Sequence, residues 1–179
     1  MTIAVACLAI VTGIAGFATA VNDAPVIDGP AIITRRAVRL VPQVPVAAED
    51  PSVLLAHDMA DLVNAERAAR KLTLLRWDDR VAAAALGHSV YQADRSTMTH
   101  VGSDGSDAGD RLTRAGYVWS TWGETLAAGS TNAPAMLDAW LASPGHAERL
   151  FEPAVRDVGV GVATSASGVP YWTLVTAAP

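Results

Sequence analysis

The chain has 179 residues, of which 51% are hydrophobic, and its 13 Lys and Arg against 18 Asp and Glu give a formal net charge of −5. This length allows one domain with appended segments, and the apolar fraction is enough for a full core. The acidic balance excludes the usual nucleic-acid-binding protein, because phosphate contacts require clustered Lys and Arg.

The first twenty residues predict a secretory signal peptide. The stretch from Ile3 is uncharged and mostly apolar, and Ala18-Thr19-Ala20 is a small-x-small cleavage pattern, although no Lys or Arg precedes the apolar run. The alternative is an uncleaved anchor, since about 20 apolar residues can just span a bilayer. Cleavage would remove Cys7, the single cysteine, so the mature domain would be held by its core alone. We therefore expect a secreted or cell-envelope protein with no stable membrane span after signal cleavage.

Residues 21–50 predict an extended linker. They contain Pro25, Pro30, Pro42 and Pro45 and show no sustained helical or strand period. Residues 38–46 are apolar enough to lie along the domain or to pair as an edge strand. The folded domain is predicted at residues 51–179.

Two long helices are predicted to open this domain. Asp50 is a good N-cap with Pro51 at the first helical position, and the apolar residues that follow recur at helical spacing until about Arg70. A second helix is predicted to start at Asp78 or Asp79. Its alanine-rich stretch, residues 82–85, would allow close approach of a neighbouring element.

Strands gather in the second half of the chain. After a Gly-, Ser- and Asp-rich loop at 102–109, Ser106 is predicted to cap a short helix over about 107–115, which Gly116 would close. The later elements are predicted as a strand at 117–126, a helix at 134–142, a short helix started by Ser143-Pro144, and a hairpin of strands 157–163 and 171–176. This order indicates an α+β fold, in which helices cover an antiparallel sheet.

Several short sequence pieces stand in a fixed order along the chain: Leu62-Val63-Asn64-Ala65-Glu66-Arg67, Leu75-Arg76-Trp77-Asp78, Met98-Thr99-His100, Gly123-Glu124, Ala139-Trp140-Leu141-Ala142-Ser143-Pro144-Gly145-His146, Val158-Gly159-Val160-Gly161 and Tyr171-Trp172. Together, and in family order, they resemble the CAP superfamily, which comprises cysteine-rich secretory proteins, antigen 5 and pathogenesis-related proteins and is also called the SCP domain. The resemblance implies an α-β-α sandwich with a three- or four-stranded antiparallel sheet between helices. The absence of disulfides resembles the bacterial branch.

The resemblance also implies a cleft with two histidines and two acidic residues. His100, Glu124 and His146 match three of the four, and Asp110 is the best match for the remaining acid, with Asp107 as the fallback. The chain departs from the family pattern at Thr125, at Arg149, where Asn is common, and at Leu174. Two residues before Glu124 on a predicted strand, Trp122 should share its face and line the cleft.

Two imidazoles and one or two carboxylates can hold a divalent, zinc-like ion and leave a position for water. The metal would lower the pKa of that water, and a carboxylate such as Glu124 would then act as the base. The alternative is a metal-free hydrogen-bond cluster in which the acids orient the imidazoles. A serine nucleophile is a further possibility through Ser103, Ser106 or Ser143, although capping and turn roles suit these residues better.

Three functions remain open from the sequence. The first is a monomeric, secreted binding module for a lipid, a sterol-like molecule or a cell-envelope component, as the resemblance suggests. The second is a metal-assisted hydrolase or peptidase with Glu124 as the base. The third is a structural or protein-interaction domain in which the histidine cluster only stabilises the fold. His57 and His88 are predicted to be structural or surface residues, since lone helical histidines seldom bind metal.

Overall fold

The computed structural model describes residues 50–179. The predicted signal peptide and all of the predicted linker except Asp50 lie outside the described residues. The elements of the described part are, in order, α1 (Pro51–Ala69), β1 (Arg76–Trp77), α2 (Asp79–Arg95), α3 (Ala108–Arg114), β2 (Thr121–Ala128), α4 (Ala133–Leu141), α5 (Pro144–Phe151), β3 (Asp157–Thr164) and β4 (Pro170–Ala178).

The four strands form one mixed sheet with the order β1-β3-β4-β2. The predicted hairpin is confirmed, because β3 and β4 pair antiparallel, and β4 also pairs antiparallel with β2. The short strand β1 pairs parallel with β3, so the sheet is mixed rather than wholly antiparallel. A strand of two residues is too short to show a hydrophobic period in the sequence. Backbone pairing with β3 places this strand, and a long-range ion pair adds to it, in which the Arg76 guanidinium lies 2.9 Å from the buried Asp157 carboxylate.

Helices cover both faces of the sheet, as the predicted α-β-α sandwich requires. One core cluster joins α1, α4 and α5 to one face through Met59, Trp140 and Leu150. The other joins α2 and α3 to the opposite face. Neighbouring residues of β4 separate between the clusters, with Leu174 in the first and Val175 in the second. This alternation is what a strand buried on both faces requires.

Helix α2 packs against β3 through backbone contact. A Cβ atom added at Gly159 would lie 2.1 Å from the Ala82 backbone nitrogen, and one added at Gly161 would lie 2.3 Å from the Leu86 Cα. No side chain fits in such a space. The predicted close approach at the alanine-rich stretch of α2 is therefore matched by the two glycines on the strand.

Some predicted helix and strand ends differ from the structure. Asp107, not Ser106, caps α3, and its side chain accepts a hydrogen bond from the Asp110 N–H at 2.9 Å. Ser143 precedes α5 but makes no side-chain capping bond. Strand β2 begins at Thr121 rather than Tyr117, because Tyr117 still belongs to the turn after α3 and donates its N–H to the Leu112 carbonyl.

Two polar residues of α1 tie that helix to loops. The wholly buried Arg67 donates from Nε to the Thr73 carbonyl at 2.9 Å and from a terminal nitrogen to the Leu150 carbonyl at 2.7 Å. Asn64 pairs with both backbone groups of Leu75. Within residues 50–179, no helix combines the length and the hydropathy that a membrane span needs.

Candidate functional site

His100 and Glu124 form the centre of the candidate site. His100 lies in the loop between α2 and α3, and Glu124 lies in the middle of β2. The Nδ1–H of His100 donates to Oε1 of Glu124 at 2.7 Å. The two side chains differ sharply in exposure, since that of His100 is 59% exposed and that of Glu124 only 2%. The buried acid therefore fixes the orientation of an imidazole whose other edge faces solvent.

Arg111, from α3, occupies the second oxygen of Glu124. Its guanidinium donates to Oε2 at 2.5 Å and also to the carbonyl of Ser106 at 2.9 Å. Two weaker bonds reach the His100 carbonyl at 3.3 Å. The guanidinium thus compensates the charge of Glu124 and joins the start of α3 to the loop that carries His100. A buried carboxylate needs such a partner, since an unpaired buried charge is strongly unfavourable.

His146, on α5, lies close enough to His100 and Arg149 to be affected by their charge. Its Nδ1 atom is buried and has no hydrogen-bond partner among the described residues. Burial is the first cause that lowers the pKa of His146, and repulsion by His100 and Arg149 lowers it further. A lowered pKa favours the neutral ring, in which one nitrogen donates a hydrogen bond and the other accepts one.

The acid expected after His100 is not placed where the closest sequence match suggested. The Asp110 carboxylate accepts the Asp107 N–H at 3.2 Å and completes a capping box at the start of α3. Asp107, the fallback, lines the cavity beside His100 instead. The reason is local, because Asp110 occupies the third position of the helix, where its carboxylate turns back to the N-cap backbone.

A cavity of about 220 Å³ opens beside His100. It is lined by His100, Asp107, Ala108, Trp122, Glu124 and Arg149. Trp122 and Glu124 line it together, which agrees with their shared face on β2. A neighbouring cavity of about 180 Å³ also contains Trp122 and Arg149 and extends towards Glu148 and Glu152. Trp122 and Arg149 line both cavities and separate one from the other.

Trp122 is held as a rigid wall of the cavity. The ring of Trp119 meets it edge to face, with 6.3 Å between the centroids, and donates its Nε1–H to the Gly109 carbonyl at 2.9 Å. A Cβ at Gly109 would come within 2.6 Å of Trp122 Nε1 and 2.7 Å of Trp119 Cζ2. Only glycine therefore allows both indoles to pack on the first turn of α3.

Helix α2 supports the backbone next to His100. The ring of the buried His88 bonds through Nε2 to the Thr99 carbonyl at 2.6 Å, and Gln92 accepts the Thr99 N–H at 3.2 Å. Gln92 is itself fixed to the sheet by a 3.0 Å bond to the Thr173 hydroxyl. Burial, followed by repulsion from Arg111, lowers the pKa of His88. His57 lies on the exposed side of α1, where its ring packs 4.0 Å from that of Trp77.

The described residues do not form a complete site for the divalent, zinc-like ion that two imidazoles and their carboxylates suggested from the sequence. Within residues 50–179, no group of three His, Cys, Asp or Glu side chains is arranged to hold a metal ion. Both oxygens of Glu124 already accept hydrogen bonds, one of them from a guanidinium. A metal would have to displace Arg111 and bear its repulsion. The sequence reasoning missed Arg111, although the need of a buried acid for a cation was a signal towards it.

A serine nucleophile finds no support in this geometry. Ser103 is exposed in the loop before α3, and Ser106 is buried with its N–H bonded to the Asp104 carboxylate. Ser143 lies ahead of α5. None of the three lines the cavity beside His100.

The chain is similar to several bacterial proteins. It is 32% identical over 102 residues to the membrane protein YlbC of Bacillus subtilis, covering 57% of this chain and 30% of YlbC. It is 28% identical over 125 residues to YkwD of the same organism, covering 69% and 48% of the two chains. The crystal structure of an extracellular protein containing a SCP domain from Bacillus anthracis is 30% identical, with a TM-score of 0.66, over 72% of this chain and 41% of that one.

These relatives are all longer than the region they share with this chain, which spans less than half of each. The similarity therefore concerns one domain. The model of the CAP family, the cysteine-rich secretory protein family, matches residues 60–176 and so includes every element from β1 to β3 and most of β4. With its fold, its ordered motifs and this match in agreement, the chain belongs to the CAP family of cysteine-rich secretory proteins.

Proposed function

We propose that this chain is an extracellular binding module that holds an amphiphilic, lipid-like molecule in the groove between α1 and α4. The observation that carries the proposal is an open cavity of about 590 Å³ at this place. Cavities of roughly 300–1,000 Å³ are the usual size for small-molecule sites. The groove lies on the face of the sheet opposite α2 and α3.

The lining of the groove suits an amphiphile. Apolar side chains of both helices, including the half-buried Leu55 and Leu62 and the prolyl ring of Pro134, provide the surface for a hydrocarbon chain. Polar groups surround them, among them the exposed carboxylates of Asp58 and Asp61. Neither carboxylate has a salt-bridge partner among residues 50–179. The groove should therefore prefer a neutral or cationic head group, because an anionic one would be repelled.

The extracellular location rests on relatives and on the amino-terminal sequence. One solved relative is described as extracellular and one curated relative as a membrane protein. The signal-like first twenty residues agree with export. We propose that the domain acts outside the cytoplasm as a monomer, and that its ligand comes from the cell envelope.

Lipid binding can be tested by isothermal titration of the purified chain with monoolein below its aggregation concentration. The Ala65→Trp variant places an indole in the groove, which Ala65 lines. We expect its affinity to fall about ten-fold or more, the effect of losing roughly 1.4 kcal/mol of contact. Ala68→Trp is the matched control, since Ala68 is exposed on the same helix but does not line the groove.

Equal binding by Ala65→Trp and by the wild-type chain would contradict the proposal. Oleate should bind more weakly than monoolein at pH 7, because its carboxylate would meet Asp58 and Asp61. Native mass spectrometry of the secreted protein should also show co-purified neutral lipid. If both variants and both lipids behave alike, binding is non-specific and the groove has no role.

A hydrolase is the second candidate, and one observation favours it. The pair of His100 and Glu124 orients an imidazole in the way that general-base catalysis requires. Among the described residues lining this cavity, however, no Ser, Thr or Cys is available as the nucleophile. Hydrolysis would need direct attack by water. Turnover of a peptide or ester that is abolished by Glu124→Gln, without unfolding, would favour the hydrolase over the binding module.

A further inference from the structure

We infer that the cleft beside His100 binds a carboxylate carried on a small apolar group, and that Arg149 is its charge partner. This site is separate from the groove between α1 and α4, so the inference goes beyond the proposed function. It rests on four features of the cleft: an unpaired guanidinium, open polar edges, the balance of fixed charges and the size of the cavity.

The guanidinium of Arg149 has no partner in the part of the chain that the structure describes, although the residue is well positioned. Its carbonyl accepts the Thr176 hydroxyl at 3.2 Å. The base of its side chain packs on β2, where a Cβ at Gly123 would lie 3.2 Å from the Arg149 Cβ. The residue is exposed and lines the cavities on both sides of Trp122. Arg149 is thus fixed at its base, while its charged end makes no hydrogen bond or ion pair within residues 50–179.

Two further polar edges border the same space. The imidazole of His100 uses Nδ1 for Glu124, which leaves its Nε2 edge towards solvent. The indole N–H of Trp122 makes no hydrogen bond to any residue in the described range. Both residues line the cavity with Arg149. Because His100 carries its proton on Nδ1, Nε2 of the neutral ring is an acceptor, and the indole N–H of Trp122 is the ring donor left for a ligand oxygen that also accepts from Arg149.

The fixed charges of the cleft favour an anion over a cation. Glu124 is neutralised by Arg111 at 2.5 Å. The Asp107 carboxylate caps α3, where the helix start stabilises negative charge. Arg149 is then the one guanidinium of the cleft that no carboxylate pairs within residues 50–179. A cation would meet this guanidinium, whereas a carboxylate can form a charge-assisted pair with it.

The size and lining of the cavity select the rest of the ligand. About 220 Å³ corresponds to roughly seven waters at ~30 Å³ each. The fixed ring of Trp122 and the methyl group of Ala108 give this space an apolar wall. A carboxylate on a phenylpropyl-sized group fits this description, either as a free organic acid or as the C-terminal residue of a peptide.

The experiment uses the full chain and 3-phenylpropionate, with 3-phenylpropionamide as the uncharged probe. Binding is followed through the indole N–H signals in a ¹⁵N NMR titration at constant ionic strength. We expect saturable shifts with the acid, and at least ten-fold weaker binding of the amide. The Arg149→Gln variant should lose at least ten-fold in affinity for the acid, and Arg149→Lys should retain part of it. Arg95→Gln, which changes an exposed arginine of α2 outside the cleft, should bind as the wild-type chain does.

A second arm distinguishes the two sources of the carboxylate. N-acetyl-alanyl-phenylalanine is compared with its C-terminal amide. Tighter binding of this free peptide acid than of 3-phenylpropionate assigns the site to peptide C-termini, and weaker binding assigns it to small organic acids. Equal binding of acid and amide, or an unchanged affinity in a folded Arg149→Gln variant, would overturn the inference.

Discussion

Replacing Arg111 by Ala tests whether this residue, rather than a metal, compensates the buried charge of the cleft. The substitution leaves a carboxylate that is 2% exposed without its guanidinium. It also removes the bonds from Arg111 to the carbonyls of His100 and Ser106. Removing one partner of a buried ion pair typically costs about 3–5 kcal/mol. Domains of this size unfold with about 5–15 kcal/mol, so the loss should be large but survivable.

The assay is urea unfolding at pH 7, with a double-mutant cycle. Arg111→Ala should lose about 3–5 kcal/mol of unfolding free energy. Arg111→Ala combined with Glu124→Gln should recover much of that loss, because the unpaired charge is then removed. Zinc added at micromolar concentration should leave the unfolding free energy of the wild-type chain unchanged, because Arg111 already compensates the Glu124 carboxylate. A loss below about 1 kcal/mol, the range of exposed ion pairs, would refute the reasoning.

Two further predictions concern the scaffold. Gly161→Ala should destabilise the domain by about 1–3 kcal/mol or more, because its Cβ would overlap the backbone of α2. Gly87→Ala changes an exposed helical glycine with nothing within 4 Å of the added Cβ, and it should stabilise the domain by about 0.5–1 kcal/mol. Thermal unfolding of both variants measures these effects, and equal effects would contradict the close contact. The pKa of His88 is lowered in the folded state by burial, so its neutral form contributes stability that is present above the unfolded pKa of about 6.5 and is lost as the pH falls through the folded value. His88→Gln should therefore flatten the loss of unfolding free energy below pH 6.5 relative to the wild-type chain, and an unchanged slope in urea titrations would exclude His88 as a source of that loss.

Local signals in the sequence predicted most of the elements. Asp50 and Pro51 mark the start of α1 on the chain itself, and the valine and glycine alternation before the turn at 165–168 marks β3. Strand β1 has no such signal, because it exists through pairing with β3 and through the bond from Arg76 to Asp157. Adjacent residues that can both cap a helix, Ser106 and Asp107, are equally good in sequence. The structure assigns the cap to Asp107, since Asp110 then completes the capping box.

The candidate site was harder to predict than the fold, because its charge balance depends on distant residues. His100 and Glu124 are identified by the family motifs, and the structure places them in direct contact. Motif matching in the segment 109–112 selected an acid, Asp110, while the residue that enters the cleft from that segment is the next one, Arg111. Sequence spacing cannot distinguish them. One side chain turns back to its helix start and the other reaches the sheet, which is decided by the direction of α3.

The contact of α2 with the two glycines of β3 has a consequence for how the cleft can change. A helix seated on a strand through main-chain atoms cannot slide without a clash, and this helix also holds Thr99 through His88 and Gln92. The backbone position next to His100 is therefore fixed by residues that do not line the cavity. Substitutions at Arg149, which is exposed, can alter what the cleft accepts while its frame stays in place, so ligand preference and fold are separately adjustable in this domain.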